Sequence, residues 1–279
     1  MKLYTVIAAI CLTLIACSSK EKSPEAHQEK PAQAAIDENE GHNLVPDSTA
    51  PDHKTAHPNW SYSGLTGPEM WGDMKPEYKL CKSGKLQSPI DLIWSRPQTK
   101  SEIRFAYNES DYQMIDNGHT IKATFSPGNK IWISGKEYNL VQMHFNSESE
   151  HTISVTQYHL EDHFVHKNDK GELAVLGVLF VEGNTNPYLE SMWQQLPSQK
   201  NRSVASTVRF NPRHLIPQIM THYNYSGSLT TPPCSEGVNW NVFNTPLELS
   251  SEQLNHFRVL YANNYRPVQP TNSRRVVNH

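Results

Sequence analysis

The sequence predicts a mostly β protein, formally α+β, with a single domain built on a large twisted, mainly antiparallel central sheet and short peripheral helices. Three observations point there. Short segments rich in β-branched and aromatic residues recur along the chain, separated by Asn-Gly, Pro-Gly and Ser-Gly pairs that mark turns. Only two segments carry helical patterning. The globular stretch, residues 58–271, has a length that suits one domain with a substantial core.

Residues 1–17 read as an export signal. Lys2 gives a short positive start, and residues 3–15 form an apolar run too short and too early for a membrane span. The run ends Leu14-Ile15-Ala16-Cys17, which resembles a bacterial lipobox, in which the cysteine becomes the lipidated first residue of the mature chain. The other reading is an ordinary cleaved signal with Cys17 incidental. Residues 18–57 read as a disordered tether: eight acidic and four basic residues with almost no large apolar side chains cannot offset the entropy of ordering. The histidines scattered through it (His27, His42, His53, His57) fit a solvated linker.

The globular stretch is nearly neutral within a chain of net charge −3, which gives no support to a nucleic-acid partner. Candidate strands follow in order at 103–107, 113–116, 120–125, 130–133, 136–146, 152–166, 173–182, 206–209, 223–228 and 237–243. Helices are expected at 187–196 and 250–260, the second with Ser250 as N-cap. There is no internal repeat, and residues 272–279 are set apart as a C-terminal tail.

The chemistry gathers in the stretch Gln142-Met143-His144-Phe145-Asn146-Ser147-Glu148-Ser149-Glu150-His151. As a strand it points Gln142, His144 and Asn146 one way and Val141, Met143 and Phe145 the other. Imidazole and amide groups two residues apart on one face are able to converge on a metal ion; a half-exposed polar face is the plainer alternative. A second strand, 158–166, aligns Glu161, His163 and Val165. Much later comes Gly227-Ser228-Leu229-Thr230-Thr231-Pro232-Pro233.

Together these three elements, in order and at compatible spacing, resemble the alpha-class carbonic anhydrases over nearly all of residues 58–271. Trp60-Ser61-Tyr62, Gly67-Pro68-Glu69-Met70-Trp71 and Gln87-Ser88-Pro89-Ile90-Asp91 match further family segments. The resemblance implies a conical cleft in a central sheet of about ten strands. It implies reversible hydration of CO2 to bicarbonate, with Zn2+ as cofactor. His144 and His163 take the positions of the first and third metal ligands, with Gln142 and Glu161 as their supporting partners. Glu150 and Thr230 match the pair that aims the hydroxide, and His119 in Asn117-Gly118-His119 matches the proton shuttle. Val165, Val175, Val238 and Trp240, with Leu229 and Thr231, match the substrate-binding wall. Secreted relatives bridge the positions of Cys81 and Cys234; export and an even cysteine count favour the same bridge here, against two buried thiols.

One position departs from the pattern. The family's second metal ligand, a histidine, is Asn146 here, and the ungapped frame leaves no neighbouring His for the slot. An amide oxygen is a harder, weaker and shorter donor than imidazole. Asp162 lies on the opposite strand face from His163; Glu148 replaces a small or Pro residue and is placed to lean in. The sequence therefore carries two function classes: an exported, envelope-anchored zinc enzyme, and a catalytically inactive carbonic anhydrase-related binding protein. An esterase reading lacks a Gly-x-Ser-x-Gly elbow.

Overall fold

Turn chemistry sets the layout of the sheet. Asn117-Gly118 closes one hairpin with Gly118 at φ 85°, and Ser134-Gly135 closes the next with φ 50° and 79°, the paired positive φ values of a tight primed turn. The computed structural model describes residues 60–93, 96 and 102–279. The expected signal at 1–17, with Cys17, and the 18–57 tether lie outside the described residues. Every described residue belongs to one unit, Lys54–His279.

The strands are β1 (Asp91–Leu92), β2 (Ile103–Ala106), β3 (Tyr112–Asp116), β4 (Ile121–Phe125), β5 (Lys130–Ile133), β6 (Lys136–Asn146), β7 (Thr152–Ile153), β8 (Thr156–Gln157), β9 (Leu160–Lys167), β10 (Leu173–Glu182), β11 (Ser203–Ala205), β12 (His222–Ser228), β13 (Glu236–Phe243), β14 (Leu247–Leu249) and β15 (Val277–Asn278). The α-helices are α1 (Trp71–Met74), α2 (Leu80–Ser83), α3 (Pro187–Trp193) and α4 (Ser251–Leu260). Twelve strands form one sheet in the order β11-β3-β4-β6-β9-β10-β13-β12-β15, with β5 on β6, β2 on β5 and β14 on β10. All its pairs are antiparallel except those of β10 with β13 and with β14. The mainly antiparallel expectation holds.

Burial alternates across the sheet as strand geometry requires. One face, with Met143, Phe145, Phe164, Leu176 and Phe180, packs on Leu189, Met192 and Trp193 of α3 and on Leu254 and Phe257 of α4. The other face, with Val165, Val175, Tyr223, Tyr225, Val238 and Trp240, packs on Ile90, Leu92 and Ile153. Ser250 caps α4 in a reciprocal capping box with Gln253. Cys81 of α2 is disulfide-bonded to Cys234, beside Trp60 and Trp71.

Three expectations need correcting. The strand expected at 206–209 lies instead at Ser203–Ala205. The Ser206 side chain bonds the backbone of Val208 on both sides of the turn, a local bond that competes with ladder pairing. The single strand expected at 152–166 is three, because Ser154 and Val155 both take positive φ and turn β7 back into β8. The segment set apart as a tail contributes β15, which pairs with β12.

Candidate active site

Strands β6 and β9 build the site by register. His144 stands opposite His163, and Asn146 opposite Glu161. On β6, Met143 and Phe145 are fully buried in the core beneath, leaving Gln142, His144 and Asn146 on the other face. Val141 departs from the simple alternation. A register shift between Leu140 and Gln142 leaves it 43% exposed.

Each histidine is oriented from behind. His144 Nδ1 lies 3.0 Å from Gln142 Oε1, and His163 Nε2 lies 3.0 Å from Glu161 Oε1. A nitrogen facing a carbonyl or carboxylate oxygen carries its proton there, so the lone pairs fall on His144 Nε2 and His163 Nδ1. Those two atoms face each other at 3.3 Å. Asn146 Nδ2 is 3.4 Å from His163 Nδ1, so the amide oxygen reaches that position only with the amide group turned over. Two lone pairs at this separation repel unless a cation or a proton lies between them. Donor atoms bound at 2.0–2.1 Å to one tetrahedral ion stand about 3.3–3.4 Å apart. The residues therefore fit a divalent metal, with the Asn146 amide oxygen as the weak member of the set.

The electrostatics set the two imidazoles apart, and a metal would have to displace a proton only from His163. Burial, His163 and Lys122 hold the His144 imidazole well below its ordinary pKa, which keeps it neutral. Burial also pushes His163 down, but the carboxylates of Glu161 and Glu150 outweigh it and leave its pKa raised. Glu161 is pushed up by burial yet held far below the carboxylate range by His151 and His163. Its four acceptor contacts are filled. Oε2 accepts from the backbone N–H of Glu150 and His151 at 2.9 and 2.8 Å, and Oε1 from His151 Nδ1 and His163 Nε2 at 2.7 and 3.0 Å.

His151, Glu161 and His163 bring ligand-type atoms within 4.8 Å of one another. Because Glu161 is saturated by four N–H donors, this trio is a carboxylate clamp rather than an ion cage. It continues through His151 Nε2 to Tyr225 Oη at 2.6 Å, and from there to Ser88 Oγ at 2.9 Å. Gly177, opposite His163, leaves the room: a Cβ there would stand 2.9 Å from Glu161 Oε1.

Glu150 is 1% exposed. Its Oε1 accepts the backbone N–H of Arg266 at 2.8 Å, and burial raises its pKa against the lowering pull of His163 and the Thr230 hydroxyl. Oε2 has no partner in ordinary hydrogen-bond geometry among the described residues, so the Thr230 contact is a loose one. Thr231, His119, Lys122, Gln142 and His144 line one cavity of about 210 Å3. His119 stacks on Trp60 at 3.8 Å, 11° from parallel. A larger cavity, about 760 Å3, lies elsewhere; the smaller one is the candidate site because His144 and its partner Gln142 open into it.

The proposed wall residues form a row: Val165 pairs with Val175, and Val175 with Trp240. The Trp240 ring is 4.8 Å from that of His163. Val238 is buried and Leu229 half-buried in the same cluster. Neither substitute ligand enters. Asp162 is fully buried, and by strand alternation it faces away from His163. Glu148 is engaged by Arg258 through an ion pair. Sequence reasoning missed the positioning roles of His151, Tyr225, Ser88 and Arg266, and the presence of Lys122 in the cleft. Only the last had a local signal, since Lys122 shares the alternation of the strand that follows Asn117-Gly118.

Residues 66–279 match the family model for eukaryotic-type carbonic anhydrase. A carbonic anhydrase of Pectobacterium carotovorum is 39% identical over 220 residues, covering 78% of this chain and 90% of that one. The alpha-carbonic anhydrase of Thermovibrio ammonificans, solved with sulfanilamide, superposes with a TM-score of 0.75 at 44% identity, covering 78% of this chain and 97% of that one. Dioscorin, solved with ascorbate, superposes with a TM-score of 0.74 at 32% identity, covering 78% of this chain and 97% of that one. With the β6–β9 histidine pair, the Glu150–Thr230 pair and the mixed sheet that carries them, this chain belongs to the alpha-type carbonic anhydrase family.

Proposed function

We propose that the chain performs its family's reaction, the reversible hydration of CO2 to bicarbonate, at the face built by β6 and β9. The observation that carries this reading is the pair of imidazole lone pairs 3.3 Å apart, each fixed by its own oxygen partner. His144, His163 and the Asn146 amide oxygen would hold Zn2+. When bound, the ion supplies hydroxide at neutral pH by acidifying water.

The chain's own residues do the rest. Glu150 is held by the Arg266 backbone N–H and would accept a hydrogen bond from Thr230, which leaves the Thr230 oxygen to accept a hydrogen bond from the nucleophile and turn its lone pair toward the wall. Val165, Val175, Val238 and Trp240, flanked by Leu229, offer CO2 a dry surface, and the Thr231 backbone orients it. His119, at the mouth over Trp60, passes the released proton to buffer, a task suited to imidazole. Cys17 lipidation and a periplasm-facing envelope location belong to the same proposal, supported by the disulfide and by the bacterial relatives. Labelled fatty acid incorporated by the wild-type chain, and not by Cys17→Ser, tests the anchor.

Asn146 favours a second reading, a binding protein that has lost the metal. The two are separated by stopped-flow CO2 hydration of the full chain with added zinc, with and without sulfanilamide, beside Asn146→His. A fast, sulfanilamide-sensitive wild type establishes the enzyme. A silent wild type beside a fast Asn146→His chain leaves intact machinery without its metal, and the binding reading stands. Zinc affinity should rise in Asn146→His by more than the roughly 10–100-fold that a supporting partner contributes.

A further inference from the structure

We infer that a second, oxyanion-binding cleft lies on the sheet face opposite the candidate active site, and that it takes a small carboxylate- or phosphate-bearing ligand. The cavity of about 760 Å3 there is lined by Arg104, Trp132, Asn224, Asn239 and Arg275. Strand alternation fixes the side of its amides, while Ile103, Ile131 and Ile133 pack in the core and turn Arg104 and Trp132 outward from it. On β12 and β13, Tyr223, Tyr225, Val238 and Trp240 pack in the cluster beneath the active site. Asn224, Asn239 and Asn241, at the intervening positions, therefore point out of the back. Elsewhere the back of the sheet is apolar and covered by α3 and α4; here it is paved with amides.

Arg104, Arg275 and Asn239 bring donors to the cleft, against which stand the Glu102 carboxylate, the Asn224 amide oxygen and His279. Asn224 Nδ2 is committed to Asn239 Oδ1 at 2.7 Å, Trp240 O at 2.9 Å and Asn241 Oδ1 at 3.0 Å. With Asn239 Oδ1 accepting, its NH2 is the end left to face the cleft. The Arg104 guanidinium sits over the Trp132 ring at 5.3 Å, which holds the plane and leaves its edge N–H groups outward. Among the described residues neither Arg104 nor Arg275 forms an ion pair. The neighbouring Arg274 is a contrast: it is tied to Thr271 O, Pro270 O and Ser226 O and stacked on Tyr225. Glu102 also lines the cleft, without an ion pair to either arginine among the described residues. Two forked guanidinium donors and the Asn239 NH2 match the acceptor geometry of a carboxylate or phosphoryl group.

The test is a titration of the 15N-labelled full chain with sodium malonate and, separately, inorganic phosphate at constant ionic strength. The Trp132 indole and Asn239 amide resonances report on the cleft. Saturable shifts there, weakened about fivefold or more in both Arg104→Gln and Arg275→Gln, support the site. The tighter of the two probes names the ligand chemistry. No saturable shift at these resonances, or binding unchanged in both variants, overturns it. Both arginines are exposed, and unchanged circular dichroism shows that a variant is folded. The result does not depend on metal at the active site, so it stands apart from the catalytic reading.

Discussion

The two faces of β9 share a backbone and differ in how their polar atoms are satisfied. On the front, every oxygen of Glu161 and the Nε2 of His163 have partners. On the back, both Asp162 oxygens and His166 Nδ1 have none in good geometry among the described residues. Backbone N–H groups of His144 and His163 offset part of the burial cost of Asp162, yet burial still holds its carboxyl well above the usual range. His166 is instead held neutral by burial, at a pKa of about 3, with the Tyr107 hydroxyl on its Nε2 at 2.5 Å. One strand thus carries a carboxylate stabilised as an anion next to one stabilised as an acid. Burial is complete for both; what separates them is neighbouring charge and hydrogen bonding, since His151 and His163 lower Glu161 whereas the Glu161 carboxylate raises Asp162.

The largest effect is expected from emptying the front. Glu161→Ala leaves four N–H donors facing a void and should destabilise the fold by about 3–5 kcal/mol in urea unfolding. Zinc affinity should fall roughly 10–100-fold in a competition titration. On the back the sign reverses. Asp162→Leu should stabilise by about 1–3 kcal/mol at pH 7; a loss there would mean that the site cannot accept the extra volume.

The pH dependence of the chelated protein separates the faces further. Glu161 has a depressed folded pKa, so its contribution is present above its unfolded value, about 4.3, and is lost as pH falls below it. Asp162 has a raised one, so its contribution is present below about 3.9 and is lost as pH rises toward the folded value. The gain from Asp162→Leu should therefore shrink from pH 7 to pH 4. A gain that is flat with pH would show an ionised Asp162.

Gly177→Ala should displace the clamp without removing it, costing about 1–3 kcal/mol of stability by overpacking and loosening zinc in the same titration. The smallest effect is Tyr225→Phe. It removes the hydroxyl between His151 and Ser88 and should cost about 1–2 kcal/mol by urea unfolding with the His163 tautomer intact.

Much of this was legible in the chain. The bounds of β5, β6 and β10 match the expected segments, because each is a run of strand-forming residues bounded on at least one side by a Gly-containing turn. The break after Ile153 was not legible: nothing in Ser154-Val155 announces positive φ, and Val is a poor candidate for it. In the site, the face of β6 followed from parity alone, and the roles of Glu150, Thr230 and His119 rested on likeness to the family. The clamp behind His163 stayed hidden because Tyr225, Ser88 and Arg266 reach it from sequence distances that no local pattern encodes. Asp162 was visible as a polar residue at an apolar position, but its lack of partners depends on what the opposite core supplies.

Arg266 sets an order of assembly. Its backbone N–H holds Glu150, 116 residues earlier, and its guanidinium holds Gln87 and the carbonyls of Ser88 and Cys81, up to 185 residues earlier. A polypeptide threaded N-terminus first delivers β6 and β9 long before the residue that steadies their carboxylate. The sheet has time to form while the placement of Glu150 waits, and long-range closures of this kind are slow. In refolding, secondary structure should recover ahead of the carboxylate's final placement, so function becomes a late reporter of a chain that already looks folded.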